Sequence, residues 1–470
     1  MTLIRSISGI RGTIGGKAGE GLSPADVVRY TSAYGTWLRK NSRSKKIRVV
    51  IGRDARISGL MVNQLVSGTL IGLGIDVVDL GLSTTPTVEI AVPMEKADGG
   101  IIITASHNPR QWNALKLLNS EGEFISEKEG QQLLKIAEQD NFSYAEAMNL
   151  GTYRQDHTYF DKHIKKILTL PQVDVAAIKA RNFKVAIDCV NSTGGIVVPK
   201  LLNALGVEQI VQLYCDPTGD FPHNPEPLPE HLNDISKEVV KKKAHLGIVV
   251  DPDVDRLALV CEDGEMFGEE YTLVAVADYM LKKRGKKGNT VSNLSSTRAL
   301  RDITEKAGGE YHASAVGEVN VVEMMKKTHA VIGGEGNGGV IVPELHYGRD
   351  ALAGIALFLS HLATFGKSCS MLRATYPDYF ISKNKIELTA EINVDKILAG
   401  IQSKYKKQPI NTVDGVKIEF DKEWVHLRRS NTEPIIRIYS ESESETTANN
   451  LAKKIIADIR ELIKDQVNGK

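Results

Sequence analysis

Residues 46–81 read KIRVVIGRDARISGLMVNQLVSGTLIGLGIDVVDLG, and this stretch decides the fold class. Its ends, KIRVVIG at 46–52 and GIDVVDLG at 74–81, are runs rich in valine and isoleucine that favour β-strands. Between them, LMVNQLVSGTLIGLG at 60–74 has apolar residues at helical spacing and closes on a glycine. A strand, a helix and a second strand in succession predict an α/β architecture.

The same alternation of strands and helices extends through most of the chain. The segment that begins at Ser23 predicts a helix, with Ser23 as its N-cap, Pro24 at the first helical position and Asp26 near the positive helix end. The strand and helix pattern then restarts at 183–250 and again at 289–334. We therefore expect three similar α/β units and not one large sheet.

The last part of the chain follows a different pattern. EWVHLRR at 423–429 and IIRIYSE at 435–441 alternate like strands, and 446–466 predict an amphipathic terminal helix, which together are typical of an α+β domain. Changes in composition mark the joints between domains. The expected domains are residues 1–152, 153–262, 263–372 and 373–470.

Composition narrows the class of protein. Over 470 residues, 59 Lys plus Arg balance 58 Asp plus Glu, so no long-range field favours nucleic acid or an anionic membrane. The N-terminus lacks the continuous apolar segment that is typical of a signal peptide, and no run reaches the roughly 18 apolar residues of a membrane span. A cytoplasmic protein with small-molecule ligands is expected, with reduced thiols at Cys189, Cys215, Cys261 and Cys369.

The loop GGIIITASHNP at 99–109 ends a strand-like run in a serine, Ser106. Taken alone, the loop is equally compatible with a local cap, because serine and asparagine often bond nearby backbone. Beside a magnesium ion, however, a phosphorylated serine would be a stored phosphate donor. His107 or Lys116 could then relay a proton, in the case of Lys116 if burial or neighbouring charge lowers its pKa.

The loop DPDVDR at 251–256 places Asp251, Asp253 and Asp255 at every second position after a buried strand. An extended backbone would point all three carboxylates the same way. Two such charges about 4 Å apart repel by about 4 kcal/mol at an effective dielectric near 20, and Arg256 alone hardly offsets three of these pairs. A magnesium site is therefore favoured, and a solvated acidic turn is the alternative.

The loop GGEGNGG at 333–339 is dense in glycine, so its backbone can approach a ligand closely. Its one carboxylate, Glu335, can accept hydrogen bonds from two neighbouring sugar hydroxyls. A plain glycine-rich hairpin is the alternative, because the loop matches neither a P-loop nor a dinucleotide-binding motif.

The loop RRSNTEP at 428–434 joins two strands of the last domain. Its arginine side chains, hydroxyls, amide and backbone N–H groups are phosphate donors. A polar β-turn is the alternative reading of this loop.

Together, the four loops resemble those of the α-D-phosphohexomutase family, and the resemblance covers essentially the whole chain. The family has a phosphoserine loop T-A/G-S-H-N-P, a metal loop D-x-D-x-D-R, a sugar loop G-E-x-x-G and a phosphate loop R-x-S-x-T, one in each domain. Here they read TASHNP at 104–109, DPDVDR at 251–256, GEGNG at 334–338 and RRSNT at 428–432. The resemblance implies a four-domain architecture, with three similar α/β domains around a central cleft and a smaller α+β C-terminal domain.

The resemblance also implies an isomerase that interconverts hexose 6-phosphate and hexose 1-phosphate through a phosphoserine and a bisphosphorylated sugar. One Mg²⁺ per chain and a hexose 1,6-bisphosphate activator are implied. The implied partner is a phosphosugar, and no binding to nucleic acid or membrane is expected. The chain is expected to be a monomer or a homodimer. The resemblance implies that Ser106 is phosphorylated and binds the metal with Asp251, Asp253 and Asp255, supported by Arg256, while Arg11, Lys116 and His107 act at the reacting oxygen. It further implies that the sugar is contacted by Glu335, Asn337 and Gly338, and that the phosphate is bound by Arg428, Ser430, Asn431 and Thr432.

Two features of the sequence bear on which hexose phosphate the chain prefers. The familiar bacterial sugar loop ends G-E-x-S-G-H, whereas Asn337 and Gly339 stand at those positions here. Val316, Gly317 and Glu318 resemble the V-G-D of glucosamine-phosphate mutases more than the T-G-H of mannose and glucose enzymes. Glucosamine phosphate is the expected substrate, with phosphomannomutase or phosphoglucomutase activity as the alternative.

Two other classes of function stay open. A buried strand followed by D-x-D also approaches the phosphatase motif of haloacid dehalogenases, although Asp255 stands where that motif has threonine or valine. The second class is a non-catalytic sugar-phosphate sensor, against which the presence of Ser106 and all three aspartates argues.

Overall fold

The computed structural model describes residues 2–6, 9–42, 44–284, 288–389, 392–429 and 435–468. The chain divides into two compact units. The first unit comprises Met1–Arg284 and Asn337–Arg373, and the second comprises Gly285–Gly336 and Ala374–Lys470. Among the described helices, none is long and apolar enough to cross a membrane.

The first unit begins with a seven-stranded mixed sheet in the order β1-β2-β6-β5-β3-β4-β7. Its strands are β1 (Ile4–Ser6), β2 (Gly9–Thr13), β3 (Arg48–Arg53), β4 (Asp76–Leu82), β5 (Gly99–Ile103), β6 (Trp112–Leu118) and β7 (Tyr153–Gln155). The helices of this region are α1 (Pro24–Asn41), α2 (Gly59–Gly72), α3 (Thr85–Met94), α4 (Glu127–Gln139), α5 (Tyr159–Leu168) and α6 (Val175–Ala180), with a 3-10 turn at Ala147–Asn149.

The predicted strand–helix–strand stretch forms β3, α2 and β4, and β3 runs parallel to β4 and to β5. Alternation along β3 places Val49 and Ile51 in one hydrophobic core and Val50 in the other, so the sheet is buried on both faces. The predicted N-cap of α1 is confirmed, because Ser23 accepts from the Asp26 N–H and the Asp26 carboxylate accepts from the Ser23 backbone.

A second sheet in the first unit has four strands in the order β11-β10-β8-β9. In this sheet β8, β9 and β10 are parallel, and β11 is antiparallel to β10. Its strands are β8 (Lys184–Asp188), β9 (Gln209–Leu213), β10 (Leu246–Val250) and β11 (Leu257–Cys261). The helices that follow in sequence are α7 (Gly194–Ala204), α8 (Asn233–Lys242) and α9 (Glu269–Arg284), with a 3-10 turn at Pro229–His231.

The second unit opens with three parallel strands in the order β13-β12-β14. These strands and their helices are β12 (Thr290–Asn293), α10 (Ala299–Lys306), β13 (Tyr311–Ser314), α11 (Glu318–Thr328) and β14 (Ile332–Glu335). The chain then returns to the first unit for β15 (Gly339–Ile341), α12 (Ala351–Phe365) and α13 (Cys369–Arg373).

The remainder of the second unit is an antiparallel five-stranded sheet in the order β16-β20-β19-β18-β17. The sheet shares a hydrophobic core with the terminal helix, which contributes Ile455 and Ile459 against Leu427 and Ile438. Its elements are β16 (Phe380–Glu387), α14 (Val394–Lys404), β17 (Ile410–Asn411), β18 (Val416–Glu419), β19 (Trp424–Arg429), β20 (Ile435–Ser442) and α15 (Glu445–Asn468).

All four cysteines are free, and Cys189, Cys261 and Cys369 are buried.

Candidate active site

The aspartate loop lies between β10 and β11 and gathers its three carboxylates in one place. Oxygen atoms of Asp251, Asp253 and Asp255 all lie within 4.8 Å of one another, and each of the three residues is 0 % exposed. The prediction of an extended backbone in the aspartate loop is wrong. Val254 has a φ of 61° and its N–H donates to the carbonyl of Asp251 at 3.1 Å, so a tight turn brings the carboxylates together.

Two buried cations of the first unit neutralise part of this charge. Lys116 Nζ lies 2.7 Å from Asp253 Oδ2 and 3.6 Å from Asp255 Oδ2, and Arg349 donates to Asp255 Oδ2 at 2.7 Å. Burial disfavours ionisation of Asp253, yet the adjacent Lys116 ammonium lowers its pKa. Burial and the neighbouring carboxylates raise the pKa of Asp251 well above its ordinary value.

The remaining oxygens of the triad fit a hard divalent cation. Asp253 Oδ1 and Asp255 Oδ1 are buried and have no hydrogen-bond partner within the described ranges. Asp251 Oδ1 accepts the N–H groups of Asp255 at 3.2 Å and Arg256 at 3.1 Å. Buried oxygens without donors are costly unless a cation binds them, so the donor set suits Mg²⁺.

Arg256 supports the metal loop through both its backbone and its charge. Its backbone N–H donates to Asp251 Oδ1 at 3.1 Å, and its guanidinium, with Nη1 3.4 Å from Glu226 Oε1, opposes the rise in the pKa of Asp251.

Ser106 lies in the loop between β5 and β6, against the aspartate triad. Its hydroxyl donates to Asp251 Oδ2 at 2.9 Å, and the residue is 7 % exposed. Its φ of 48° is in the left-handed region, and its backbone N–H donates to Thr104 Oγ1 at 2.9 Å. The loop thus holds a strained backbone that presents the serine hydroxyl to the carboxylates.

A buried arginine that sequence reasoning missed organises the serine loop. The guanidinium of Arg56 donates to the carbonyls of Ser106, Asn108, Pro109 and Trp112, and its Nε donates to Asp54 at 3.0 Å. Every donor of the side chain is therefore used. The signal available was the charged run RDAR at 53–56, directly after a buried strand.

His107 lies near Ser106, and Lys116 contacts the same aspartate triad as Ser106. His107 Nδ1 is 3.4 Å from Ser106 Oγ, and burial and the Arg256 guanidinium hold the pKa of His107 well below its ordinary value. The lowered pKa that proton relay by Lys116 would require is not found. Burial acts in that direction, but the carboxylates of Asp253 and Asp255 outweigh it and raise the pKa.

Arg11 lies on β2 opposite Ala114 of β6, the strand that also carries Lys116. Burial and the nearby Arg256 lower the pKa of Arg11. Both cationic side chains are thus placed by neighbouring strands of one sheet.

Glu335 ends β14 in the second unit and is 5 % exposed. Its Oε1 accepts from Asn293 Nδ2 at 2.9 Å and from the Gly317 N–H at 3.2 Å, and Gly317 is the N-cap of α11. These contacts fix the carboxylate beside the segment Val316–Glu318, which the sequence singled out for substrate preference.

Asn337 and Gly338 belong to the first unit. Asn337 Oδ1 accepts from the Gly339 N–H at 3.3 Å. Gly338 has a φ of 84°, and a Cβ there would lie 2.3 Å from the Leu257 carbonyl oxygen, so this position requires glycine.

Arg428 lies on β19, with its Nη1 3.3 Å from Asp414 Oδ2. Asp414 also accepts from the Val316 N–H at 3.0 Å, so within the second unit one carboxylate contacts both Arg428 of β19 and the segment Val316–Glu318. The other predicted phosphate-binding residues, Ser430, Asn431 and Thr432, lie outside the described residues.

Models of four protein domains match almost the entire chain. They are phosphoglucomutase/phosphomannomutase alpha/beta/alpha domain I at 3–144, domain II at 159–264, domain III at 268–379 and the C-terminal domain at 385–458. The matches confirm the expected four-domain fold class.

Full-length relatives agree with the domain matches. A phosphoglucomutase/phosphomannomutase of Thermococcus kodakarensis is 34% identical over 96% of this chain and 99% of its own. A probable phosphoglucosamine mutase of Methanopyrus kandleri is 32% identical over 97% of this chain and 98% of its own.

Among solved structures, a phosphoglucomutase/phosphomannomutase family protein of Burkholderia thailandensis superposes with a TM-score of 0.84 at 27% identity, covering 100% of this chain and 99% of that one. The sequence resemblance is thereby confirmed along the whole chain. This chain belongs to the phosphoglucomutase/phosphomannomutase family, the α-D-phosphohexomutases, which are isomerases.

Proposed function

We propose that this enzyme moves a phosphoryl group between the 6- and 1-positions of a hexose through a phosphoserine at Ser106. The observation that carries the proposal is the 2.9 Å hydrogen bond from Ser106 Oγ to Asp251 Oδ2. This contact places the only serine hydroxyl of the TASHNP loop against three buried carboxylates. A serine that only caps nearby backbone would not need to contact the carboxylates of another loop.

The reaction that we propose has two transfers. In the first, the bond between phosphorus and Ser106 Oγ breaks as a bond forms between phosphorus and the free sugar hydroxyl, whose proton passes to a neighbouring base. The bisphosphorylated sugar then turns end for end, and the second transfer returns the other phosphoryl group to Ser106. The net result is isomerisation, and a hexose 1,6-bisphosphate would act as activator by recharging Ser106.

The residues around Ser106 supply the remaining roles. Asp251, Asp253 and Asp255, together with an oxygen at Ser106, would hold one Mg²⁺, which neutralises phosphoryl charge when bound. His107 is the candidate for accepting the sugar proton, because the pKa of Lys116 is raised, and Lys116 and Arg11 are the candidates for binding the reacting oxygen.

We propose that the other two loops bind the substrate. Glu335, Asn337 and Gly338 would contact the sugar. Arg428, with Ser430, Asn431 and Thr432, would hold whichever phosphate is not reacting. A fixed phosphate site serves both orientations of the bisphosphate, which is the requirement set by end-for-end reorientation.

For the substrate, we propose glucosamine 6-phosphate, with mannose and glucose phosphates as the alternatives. The support is the Val316–Glu318 segment, whose Gly317 N–H and Val316 N–H bond to Glu335 and Asp414 respectively. Rates on the three hexose 6-phosphates, compared side by side at equal enzyme concentration, test this choice. A strong preference for mannose or glucose would overturn it.

We also propose a cytoplasmic enzyme, a monomer or homodimer, with domain boundaries at 152/153, 262/263 and 372/373. Free thiols at all four cysteines support a reducing compartment. Limited proteolysis followed by mass analysis tests the boundaries, because domain joints are preferred cleavage sites.

Phosphorylation mapping tests the proposed chemistry directly. The full chain is incubated with Mg²⁺ and a hexose 1,6-bisphosphate, and the intact and peptide masses are compared with those of Ser106→Ala. We expect one stable phosphoryl group, on Ser106, that is absent in the variant. A hydroxylamine-labile group on Asp251 would instead indicate a phosphatase, and no phosphorylation would indicate a sensor.

A further inference from the structure

A second cluster of metal-ligand side chains lies in the first unit, apart from the aspartate triad. We call it the histidine cluster: His163 of α5, His346 of the segment between β15 and α12, and Asp350, which is the N-cap of α12. The Nε2 atoms of His163 and His346 lie 2.9 Å and 3.2 Å from the same oxygen, Asp350 Oδ2. One ligand atom from each residue lies within 4.8 Å of the others.

These separations are close to those of a metal site. Two ligands about 2.0–2.1 Å from a tetrahedral Zn²⁺ are roughly 3.3 Å apart. Asp350 Oδ1 is occupied by the N–H groups of Leu352 at 2.9 Å and Ala353 at 3.1 Å, so the helix end fixes the carboxylate with Oδ2 directed at both imidazoles. The three atoms therefore need only a small shift to share one ion.

The outer nitrogen of each imidazole also has a partner. The Nδ1 of His163 lies 3.0 Å from Thr87 Oγ1, and the Nδ1 of His346 lies 3.3 Å from Glu89 Oε2. Thr87 and Glu89 both belong to α3. Metal-binding histidines almost always have such an outer partner, which sets the tautomer and the ring orientation. Glu89, His346 and a metal would form the common carboxylate–histidine–metal arrangement.

The charge of the cluster is compatible with a divalent cation. His163, Glu89 and Asp350 are each no more than 1 % exposed, so two carboxylates are buried beside two imidazoles. A divalent ion with two neutral imidazoles balances the two carboxylates, as two protonated imidazoles would, and buried charge is costly unless balanced.

We propose that the histidine cluster binds Zn²⁺ through His163, His346 and Asp350, with water as the fourth ligand. Imidazole nitrogen selects zinc over magnesium, whereas the all-oxygen aspartate triad selects magnesium. The ion would connect α5 to the start of α12 through atoms other than those of the proposed reaction. The inference does not depend on the proposed function.

Metal content and a cobalt spectrum test this proposal on the full chain. Protein dialysed against EDTA and then given one equivalent of Zn²⁺ is gel-filtered, and retained zinc is measured by mass spectrometry. We expect one equivalent in the wild type and in Asp253→Asn, and a large loss in His163→Gln and His346→Gln. Glu89→Gln, which alters only the outer partner, should weaken zinc affinity about tenfold or more. His157→Gln, at an exposed histidine, is the matched control.

Co²⁺ provides a readout that needs no variant of the cluster. Four-coordinate cobalt with imidazole ligands absorbs strongly in the visible range, whereas six-coordinate cobalt on carboxylates absorbs weakly. We expect strong absorption in Asp253→Asn loaded with Co²⁺. Two results would overturn the proposal and leave a hydrogen-bonded network. One is that zinc retention is lost in Asp253→Asn but kept in both histidine variants. The other is that neither the wild type nor Asp253→Asn absorbs strongly when loaded with Co²⁺.

Discussion

Ser106 Oγ donates a hydrogen bond to Asp251 Oδ2 at 2.9 Å, although 145 positions separate the two residues in sequence. The serine lies on a loop of the seven-stranded sheet and the aspartate on a loop of the four-stranded sheet. The position of the Ser106 hydroxyl against the carboxylates therefore depends on the packing of two sheets. Residues that hold either loop in place should control the reaction without contacting the substrate.

Arg56 is the first such residue. In Arg56→Lys we expect phosphorylation of Ser106 by a hexose 1,6-bisphosphate to slow by about 100-fold, because lysine cannot bond the four loop carbonyls at once. The KM for the hexose monophosphate should change much less than kcat. The measurement is the rate of mass gain of the intact protein.

Arg110→Lys is the matched control for this prediction. Arg110 lies in the same loop, but its side chain is exposed and pairs with Asp220 on the surface. A rate of phosphorylation in Arg56→Lys equal to that of Arg110→Lys would show that Arg56 does not position the serine.

Metal binding should stabilise the folded chain through the aspartate triad. At a Mg²⁺ concentration of about 100 times Kd, binding adds about 2.7 kcal/mol to the free energy of unfolding. We expect Mg²⁺ to raise the midpoint of thermal unfolding of the wild type and to leave that of Asp253→Asn unchanged. Calorimetry with and without Mg²⁺ provides the measurement.

The control for metal binding is Asp263→Asn, at an exposed acidic position after β11. Its midpoint should rise with Mg²⁺ as much as that of the wild type. A full Mg²⁺ effect in Asp253→Asn would place the stabilising ion elsewhere.

Local sequence patterns were sufficient to predict the elements of the fold. The valine and isoleucine runs of β3 and β4 and the cap at Ser23 need only neighbouring residues, and the structure has all of them. The three aspartates were also found, because their spacing after a buried strand is a local signal. The turn at Val254 was missed, since valine strongly disfavours a positive φ and only the surrounding packing imposes it.

The contacts made at long range in sequence could not be predicted. Arg349 reaches Asp255 across 94 positions, and Lys116 reaches Asp253 across 137. The direction of the Lys116 pKa depends on these partners, because burial alone would lower it and the carboxylates reverse the effect. A sequence gives the residue type but not which opposite charge it meets.

Arg428 should contribute equally to both substrates of the proposed reaction. Loss of a hydrogen bond to a charged group costs about 1.5–3 kcal/mol. In Arg428→Ala we therefore expect the affinities for the hexose 1-phosphate and the hexose 6-phosphate to fall by a similar factor, about 10–100-fold. Calorimetric titration in a Ser106→Ala background avoids turnover.

Arg429→Ala is the control for the phosphate site, because Arg429 follows on the same strand and its side chain is exposed. Its affinities should be close to those of the Ser106→Ala parent. An effect of Arg428→Ala on only one of the two monophosphates would contradict a phosphate site shared by both orientations.

The stability of the second unit should depend on pH through His426. This residue of β19 is 1 % exposed, with its Nε2 2.6 Å from the Asp414 carbonyl and its Nδ1 2.9 Å from Ser295 Oγ. Burial lowers the pKa of His426 from 6.5 to about 4. The unfolded chain therefore takes up a proton below pH 6.5 that the folded chain does not take up until about pH 4.

The contribution of neutral His426 to the free energy of unfolding is therefore complete above pH 6.5 and is lost as the pH falls towards 4. The change is roughly 3 kcal/mol. His426→Asn should be less stable than the wild type at pH 7, because it loses fitted hydrogen bonds, but its stability should fall less steeply on acidification. Urea unfolding followed by Trp424 fluorescence, in a Trp37→Phe and Trp112→Phe background, reports on the second unit. Parallel pH profiles for the two proteins would show that His426 titrates alike in the folded and unfolded chains.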